Sequence, residues 1–165
     1  MYVELEPPMA LLPFGEQVEV GIVRLPHAPE NLPQYQTSGS VGMDLQAAID
    51  APITLQPLER VLVPTGFIIV LPEGYEAQVR ARSGLAIKHG IGLSNGIGTI
   101  DWDYRHEVKV ALVNVSNEAY TIQPLDRIAQ LVIAPVTIGR WVELQPAELD
   151  NAGQNRGGGF GSTGR

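Results

Sequence analysis

The sequence predicts an all-β domain, an antiparallel sandwich or jelly roll, and three observations carry that expectation. First, 13 prolines and 18 glycines punctuate nearly the whole chain of 165 residues and leave little room for helices of ordinary length. Second, the longest stretch free of both, Thr99–Gln123, has at its centre Val108–Val115, where valines recur with alternating partners. Branched residues at period two specify a strand. Third, similar short apolar runs recur at roughly even spacing, the pattern of a sandwich or jelly roll.

Taken in chain order, residues 1–16 carry Pro7-Pro8 and Pro13 and read as an extension. Strand signals then fall at Val18–Leu25, Ile53–Leu55, Arg60–Val63, Phe67–Leu71, Glu76–Ala81, Val108–Val115 and Ile128–Pro135. Clusters such as Pro72-Glu73-Gly74 and Ser94-Asn95-Gly96 supply turns between them. One short helical candidate, Leu85–His89, follows Ser83-Gly84. No internal repeat is evident. From Asn151 the chain reads NAGQNRGGGFGSTGR, with almost no apolar side chain to bury. Such a segment cannot offset its own ordering entropy and is expected to stay mobile until something binds it. The domain proper is therefore expected over 17–150, between the extension and a Gly-rich tail over 151–165.

Composition narrows the function classes. With 44% hydrophobic and 18% charged residues the chain suits one globular domain, not a disordered one. No apolar run approaches the roughly 20 residues that span a bilayer, and the N-terminus lacks the basic-then-apolar order of a signal peptide. No membrane partner is expected. The absence of cysteine excludes disulfides and thiolate metal sites and suits a reducing, cytoplasmic address. A formal charge of −7 argues against a nucleic-acid partner. It also means that any polyphosphate ligand requires the few cations to converge.

Four clusters carry potential chemistry. In RSGLAIKHG, Arg82–Gly90, the step Arg82-Ser83-Gly84 offers a guanidinium fork, a hydroxyl and an unobstructed backbone N–H, the donors that phosphate oxygens require. The same step also fits an exposed arginine on a turn, and Lys88 and His89 fit a solvated helix turn. In NGIGTIDWDYRHE, Asn95–Glu107, Asn95-Gly96 and Gly98 suggest a hairpin whose backbone could pair with the edge of a flat base. Ile100 and Asp101 alternate, placing a carboxylate opposite an apolar anchor, and Tyr104 could lay its ring under a sugar. A partly desolvated Asp101 there could accept a proton from water; a polar turn capped by Asp101 and Asp103 is the plainer alternative. In DRIAQLVIAP, Asp126–Pro135, Ile128, Leu131 and Ile133 read as core, while the amide of Gln130 needs a partner, either internal or a ligand phosphate. In RGGGFGSTG, Arg156–Gly164, the glycines permit close approach, Arg156 and the Ser162 and Thr163 hydroxyls suit a terminal phosphate, and Phe160 offers a stacking surface. A disordered end is the alternative there.

Together with SVGMDLQAA at Ser40–Ala48, these clusters resemble, in order and approximate spacing, the five motifs of the dUTPase family. The resemblance runs from about Val18 to the C-terminus. It implies a dUTPase-like jelly-roll homotrimer, with sites at subunit boundaries closed by a C-terminal arm. It implies hydrolysis of dUTP to dUMP and pyrophosphate with Mg²⁺, which keeps uracil out of DNA and supplies dUMP for dTMP synthesis. By the same resemblance, Asp101 activates the water that attacks the α-phosphorus, and Tyr104 packs on the deoxyribose and excludes a 2′-hydroxyl. Asn95 and the backbone of Gly98 and Ile100 bind uracil. Arg82, Ser83, Gly84 and Gln130 hold the α- and β-phosphates; Arg156, Gly161, Ser162 and Thr163 reach the γ-phosphate, and Phe160 covers the base. Asp44 contacts Mg²⁺ through water, and the triphosphate itself, not the protein, chelates the metal.

Three positions depart from the family pattern. His106 stands where a glycine usually follows Tyr-Arg, which is expected to alter the exit of the hairpin. Ala81 replaces a common proline, and Phe160 follows Arg156 by four steps instead of five. Two relatives in fold compete. A dCTP deaminase needs a glutamate in the strand after the substrate hairpin, where this chain has Ala111, with Glu107 too early to substitute. A non-catalytic trimeric binding module would have no use for Asp101 and Tyr104. A jelly-roll sugar binder would use loop aromatics and leaves the five motifs unexplained.

Overall fold

The computed structural model describes residues 17–153. Within them the chain forms β1 (Gly21–Arg24), β2 (Met43–Gln46), β3 (Ile53–Leu55), β4 (Arg60–Pro64), β5 (Phe67–Val70) and β6 (Tyr75–Arg80). There follow α1 (Ser83–His89), β7 (Ile91–Leu93), β8 (Gly98–Ile100), β9 (Lys109–Asn114), β10 (Tyr120–Ile122), β11 (Arg127–Pro135) and a 3₁₀ turn, Pro146–Asn151. Every pairing is antiparallel. The strands run β2-β11-β6-β8 in one sheet and β4-β9-β7 in another, flanked by the pairs β1-β5 and β3-β10. The all-β expectation holds. The helix begins at Ser83, two residues before its expected start, because the chain turns helical directly after the extended Arg82. The expectations for 1–16 and 154–165 lie outside the described residues.

Alternation builds the core as the valine pattern requires. On β9, Val110 and Leu112 point inward while Ala111 and Val113 face outward, half-buried. Leu45, Leu55, Val63, Ile91 and Ile122 complete the buried centre. Asn114 occupies an inward position of β9 and is fully buried, a costly place for an amide unless satisfied. It is satisfied: Nδ2 donates to the Leu55 and Glu118 carbonyls at 3.0 and 2.7 Å, and Oδ1 accepts from the Ser116 amide and hydroxyl at 2.9 and 2.7 Å.

Two sequence expectations need correction. Gln56-Pro57-Leu58-Glu59-Arg60 and Gln123-Pro124-Leu125-Asp126-Arg127 form a short internal repeat that the sequence reading passed over. Leu58 and Leu125 both sit at φ 66°. Each acidic side chain accepts from the glutamine amide, at 2.7 Å for Glu59 and 2.8 Å for Asp126, and each turn launches a strand with an arginine. The second correction concerns the hairpin at Asn95. β7 pairs with β9 and β8 with β6, so the turn passes from one sheet to the other instead of joining two mutually paired strands.

The α1 helix ends at Gly90, whose φ of 65° closes the C-cap; a Cβ there would lie 2.7 Å from that of Ser116. His89 stacks on Tyr120, with ring centroids 4.9 Å apart. Burial, reinforced by Asp126 and partly offset by Arg82, pushes the Tyr120 phenol above its ordinary 10.0. The folded chain thus keeps a proton that the unfolded chain releases near pH 10, and stability falls as pH rises through that range. Tyr120→Phe is expected to make the alkaline decline of the unfolding midpoint shallower, as read by thermal melts from pH 8 to 11. An unchanged alkaline slope would contradict it.

Candidate active site

Strand register assembles the first half of the site. Gln130 on β11 lies opposite Asp44 on β2 and Arg80 on β6, and Arg82 follows at the end of β6. These residues open onto a cleft of about 410 Å³ lined by Asp44, Arg82, Ser83, Gly84, Arg127 and Gln130, with Gln36 and Ser40–Gly42 on its other side. Gly42 lies close against Gln130, and a Cβ there would come within 2.6 Å of Gln130 Oε1 and displace that amide. No side chain caps the start of α1, and a Cβ at Gly84 would meet nothing. The first-turn amides therefore have no side-chain partner at the cleft.

Asp44 organises the cations. Its Oδ1 lies 3.0 Å from Arg82 Nε and its Oδ2 3.2 Å from Arg127 Nη1, while Arg82 Nη1 donates to the Arg127 carbonyl at 2.9 Å. Two guanidinium groups around one carboxylate leave the cleft positive, although the chain as a whole carries −7. Gln130 finds an internal partner: Nε2 donates to the Ala81 carbonyl at 3.0 Å, and the amide retains a second N–H.

Arg127 was not among the residues singled out from sequence. It stands three positions before Gln130, which in a regular strand points the two to opposite faces. A β-bulge between Arg127 and Ala129 shifts the phase, and both line the same cleft. A second cleft, of about 430 Å³, lies between Ala86–Gly90 and Ser116–Tyr120 and contains none of the predicted site residues.

The second half is the segment from Asn95 to Tyr104. β8 is an edge strand, with β6 on one side and no strand on the other among the described residues. Its free edge can accept a strand-like partner. A Cβ at Gly98 would lie 3.1 Å from that of Val79 and 3.6 Å from Asn95 Nδ2, so the glycine brings the Asn95 amide over the strand. Ile100 is buried and Asp101 exposed, the expected alternation. The Asp101 and Asp103 carboxylates cap nothing: neither makes a hydrogen bond or ion pair among the described residues. The turn is closed instead by its backbone, with the Tyr104 amide donating to the Asp101 carbonyl at 3.1 Å. Arg105 Nη1 donates to the Trp102 and Tyr104 carbonyls at 2.6 and 2.9 Å.

Along β6 the two halves lie at opposite ends. Gly98 pairs with Val79 and Ile100 with Ala77, so Asp101 continues toward the start of β6, whereas Arg82 lies beyond its end. At about 3.3 Å per residue the stretch from Ala77 to Arg82 separates them by roughly 16 Å. Arg156, Phe160, Gly161, Ser162 and Thr163 lie outside the described residues. Ala111, where a deaminase would place its glutamate, faces outward beside Leu62, and the Glu107 carboxylate is taken by His27 and the Gly66 amide. No group of three or more metal-binding side chains occurs among the described residues. No helix among them is long and apolar enough to cross a membrane.

Comparison with known proteins identifies the family. The sequence model of the dUTPase family matches residues 28–164. A deoxyuridine 5′-triphosphate nucleotidohydrolase of Wolbachia pipientis is 51% identical over 150 residues, spanning 90% of this chain and 97% of the relative. The dUTPase of Staphylococcus bacteriophage 80alpha with dUPNHPP superposes with a TM-score of 0.78 at 22% identity, over 90% of this chain and all of that one. A variant dUTPase of phage phi11 of S. aureus, which coordinates a structural Mg(II) ion, gives 0.69 at 21% identity over 78% and 97% of the two chains. At such identities the solved structures speak for the fold, while the sequence match over most of the chain decides the family. The chain belongs to the dUTPase family.

Proposed function

We infer that this enzyme hydrolyses dUTP to dUMP and pyrophosphate, and that it does so at sites shared between subunits of a homotrimer. In this reading Asp101 takes a proton from a water molecule whose oxygen bonds to the α-phosphorus. The bond from that phosphorus to the α–β bridging oxygen breaks, and pyrophosphate leaves with the electron pair. Arg82, Ser83, the Gly84 amide and Gln130 hold the α- and β-phosphates, with Ser83 facing the charge that grows on the leaving oxygen. Arg127, in the same cleft and bound to the same carboxylate as Arg82, belongs to this group. Asn95 and the backbone of Gly98 and Ile100 bind uracil at the free edge of β8, while the Tyr104 ring meets the sugar. The tail residues Arg156, Gly161, Ser162 and Thr163 grip the γ-phosphate and Phe160 covers the base. Such an activity keeps uracil out of DNA, supplies dUMP for dTMP synthesis, and belongs in the cytoplasm with the nucleotide pool.

Mg²⁺ fits this set of residues as an outer-sphere guest. Asp44 is the single carboxylate lining the cleft among the described residues, and a Mg²⁺ that keeps most of its waters needs no protein cage. The bound ion would neutralise phosphate charge and orient the α-phosphate. Asp44 would hold its water shell once the phosphates draw Arg82 and Arg127 away from the carboxylate.

The observation that carries the shared-site reading is the roughly 16 Å between the Asp101 and Arg82 ends of β6, since the base must stand beside the very phosphorus that Arg82 holds. Surface chemistry supports it. The outward face of β4 and β9 carries Leu62, Ala111, Val113 and, just beyond, Val115, with Leu62 58% and Val115 65% exposed. Farther on, Ile138 is 85% and Trp141 98% exposed. Apolar side chains so placed call for a partner surface. The direct test is pyrophosphate release from dUTP, UTP, dCTP and dTTP, with Mg²⁺ and after chelation, on a sample whose mass is measured in solution. The expected result is a trimer cleaving dUTP alone at a substantial rate, with a marked loss on chelation. Comparable cleavage of dCTP or UTP, or a fully active monomer, would refute it.

A further inference from the structure

His106 follows Tyr104-Arg105 at the exit of the turn, and the structure shows what its side chain meets. The His106 ring packs against that of Tyr104, with centroids 5.5 Å apart and planes inclined at 70°. Nothing in the backbone demands glycine there. The non-glycine residues with positive φ are Leu58 and Leu125 among the described residues, so His106 sits in ordinary conformational space. The turn is thus unstrained at His106, and what the side chain adds is this contact with Tyr104.

Everything around that contact is fixed. The Tyr104 hydroxyl donates to the Glu107 carbonyl at 3.2 Å. The Glu107 carboxylate accepts from the Gly66 amide at 2.8 Å and meets His27 Nε2 at 2.7 Å, which ties this backbone to the β4–β5 turn. With the tether at Asp101 on the other side, the segment is pinned at both ends. Tyr104 remains 38% exposed. An edge-to-face neighbour restricts the tilt of such a ring, and tilt decides how close a sugar C2′ can come.

We propose that His106 is a specificity-determining positioning residue, which fixes the plane of the Tyr104 ring and thereby sharpens rejection of a 2′-hydroxyl. This rests on the assignment of Tyr104 to the sugar. The test compares kcat and KM for dUTP and UTP in the wild type, His106→Gly, His106→Phe and Tyr104→Ala, with melting temperatures recorded for each. His106→Gly is expected to lower the dUTP-over-UTP ratio of kcat/KM roughly three- to tenfold, the scale of one aromatic pair. The effect should fall on KM more than on kcat. His106 is exposed, so its melting temperature should hold. His106→Phe, which restores a ring, is expected to return the ratio to the wild-type range. If His106→Gly leaves the ratio unchanged while Tyr104→Ala collapses it, the role of His106 is refuted and that of Tyr104 stands. If neither changes it, the sugar assignment of Tyr104 fails and takes the proposal with it. A loss in His106→Gly that Phe does not restore refutes packing as the cause.

Discussion

Asp101→Asn is expected to reduce kcat for dUTP by about 10²-fold or more while leaving KM and the melting temperature near wild-type values. The loss is the scale of a missing general base: the carboxamide keeps the shape of the side chain but cannot take the water proton. The folded state should be indifferent. Asp101 is exposed, its carboxylate makes no bond among the described residues, and the turn it begins is closed by the Tyr104 amide on its carbonyl oxygen. A drop confined to kcat means that the lost interaction belongs to the transition state and not to substrate binding. Near-normal turnover would remove Asp101 from the role.

The same variant tests whether the two half-sites come from different chains. Arg82→Ala should be inactive for a separate reason, loss of the phosphate grip. If each site draws Asp101 from one subunit and Arg82 from another, mixed trimers contain sites in which both halves are intact. Co-refolded Asp101→Asn and Arg82→Ala chains should then regain up to about a quarter of wild-type activity, the share expected from random assembly. No recovery from a demonstrably mixed trimer would put both halves on one chain, against the strand geometry.

How much of this was legible in the sequence depends on the length over which each signal accumulates. β9 is six residues long and rich in branched residues, so its pattern identified the strand, while the inward positions, Val110, Leu112 and Asn114, came from the structure. β7, β8 and β10 are three residues each and lie within glycine-rich or polar surroundings, whereas the equally short β3 was legible as an apolar run after Pro52, and β2 was noticed only as a motif. The local chemistry of Arg82-Ser83-Gly84 was visible because each donor sits in consecutive residues. Arg127 was hidden because its place in the cleft depends on a bulge, and period-two reasoning assigns it to the wrong face. The hairpin was misread for a related reason: Asn95-Gly96 specifies a turn, but not which strands its two arms pair with. The need of Gln130 for a partner was foreseen, while its identity, the Ala81 carbonyl, follows from the β6–β11 register. His106 was conspicuous only as a departure, and the ring it touches is a matter of three dimensions.

Removing 151–165 is expected to leave a folded trimer whose kcat/KM for dUTP is lowered by about 10²-fold or more. The stability half of this expectation follows from where the core lies. Its buried members run from Leu45 to Val132, and the 3₁₀ turn, which loses only its last residue, keeps its N-terminal cap, with the Gln145 amide donating to Glu148 Oε2 at 2.7 Å and the Glu148 amide to the Gln145 carbonyl at 2.9 Å. The deleted stretch contains seven polar or charged residues and six glycines beside Ala152 and Phe160, too little apolar surface to contribute to a core. The activity half follows from charge. The described cleft is only weakly positive, because Asp44 cancels one of its two guanidinium groups, and a triphosphate needs more. Arg156 with the Ser162 and Thr163 hydroxyls would add several charge-assisted hydrogen bonds at the γ-phosphate, each worth about 1.5–3 kcal/mol, and two of these already account for a hundredfold or more. Because this contribution depends on the third phosphate, the truncated enzyme should lose its preference for dUTP over dUDP, while binding of dUDP falls only by the contact of Phe160 with the base. A truncation that unfolds the protein would make the tail structural. One that stays folded with full activity would leave the γ-phosphate to the cleft alone.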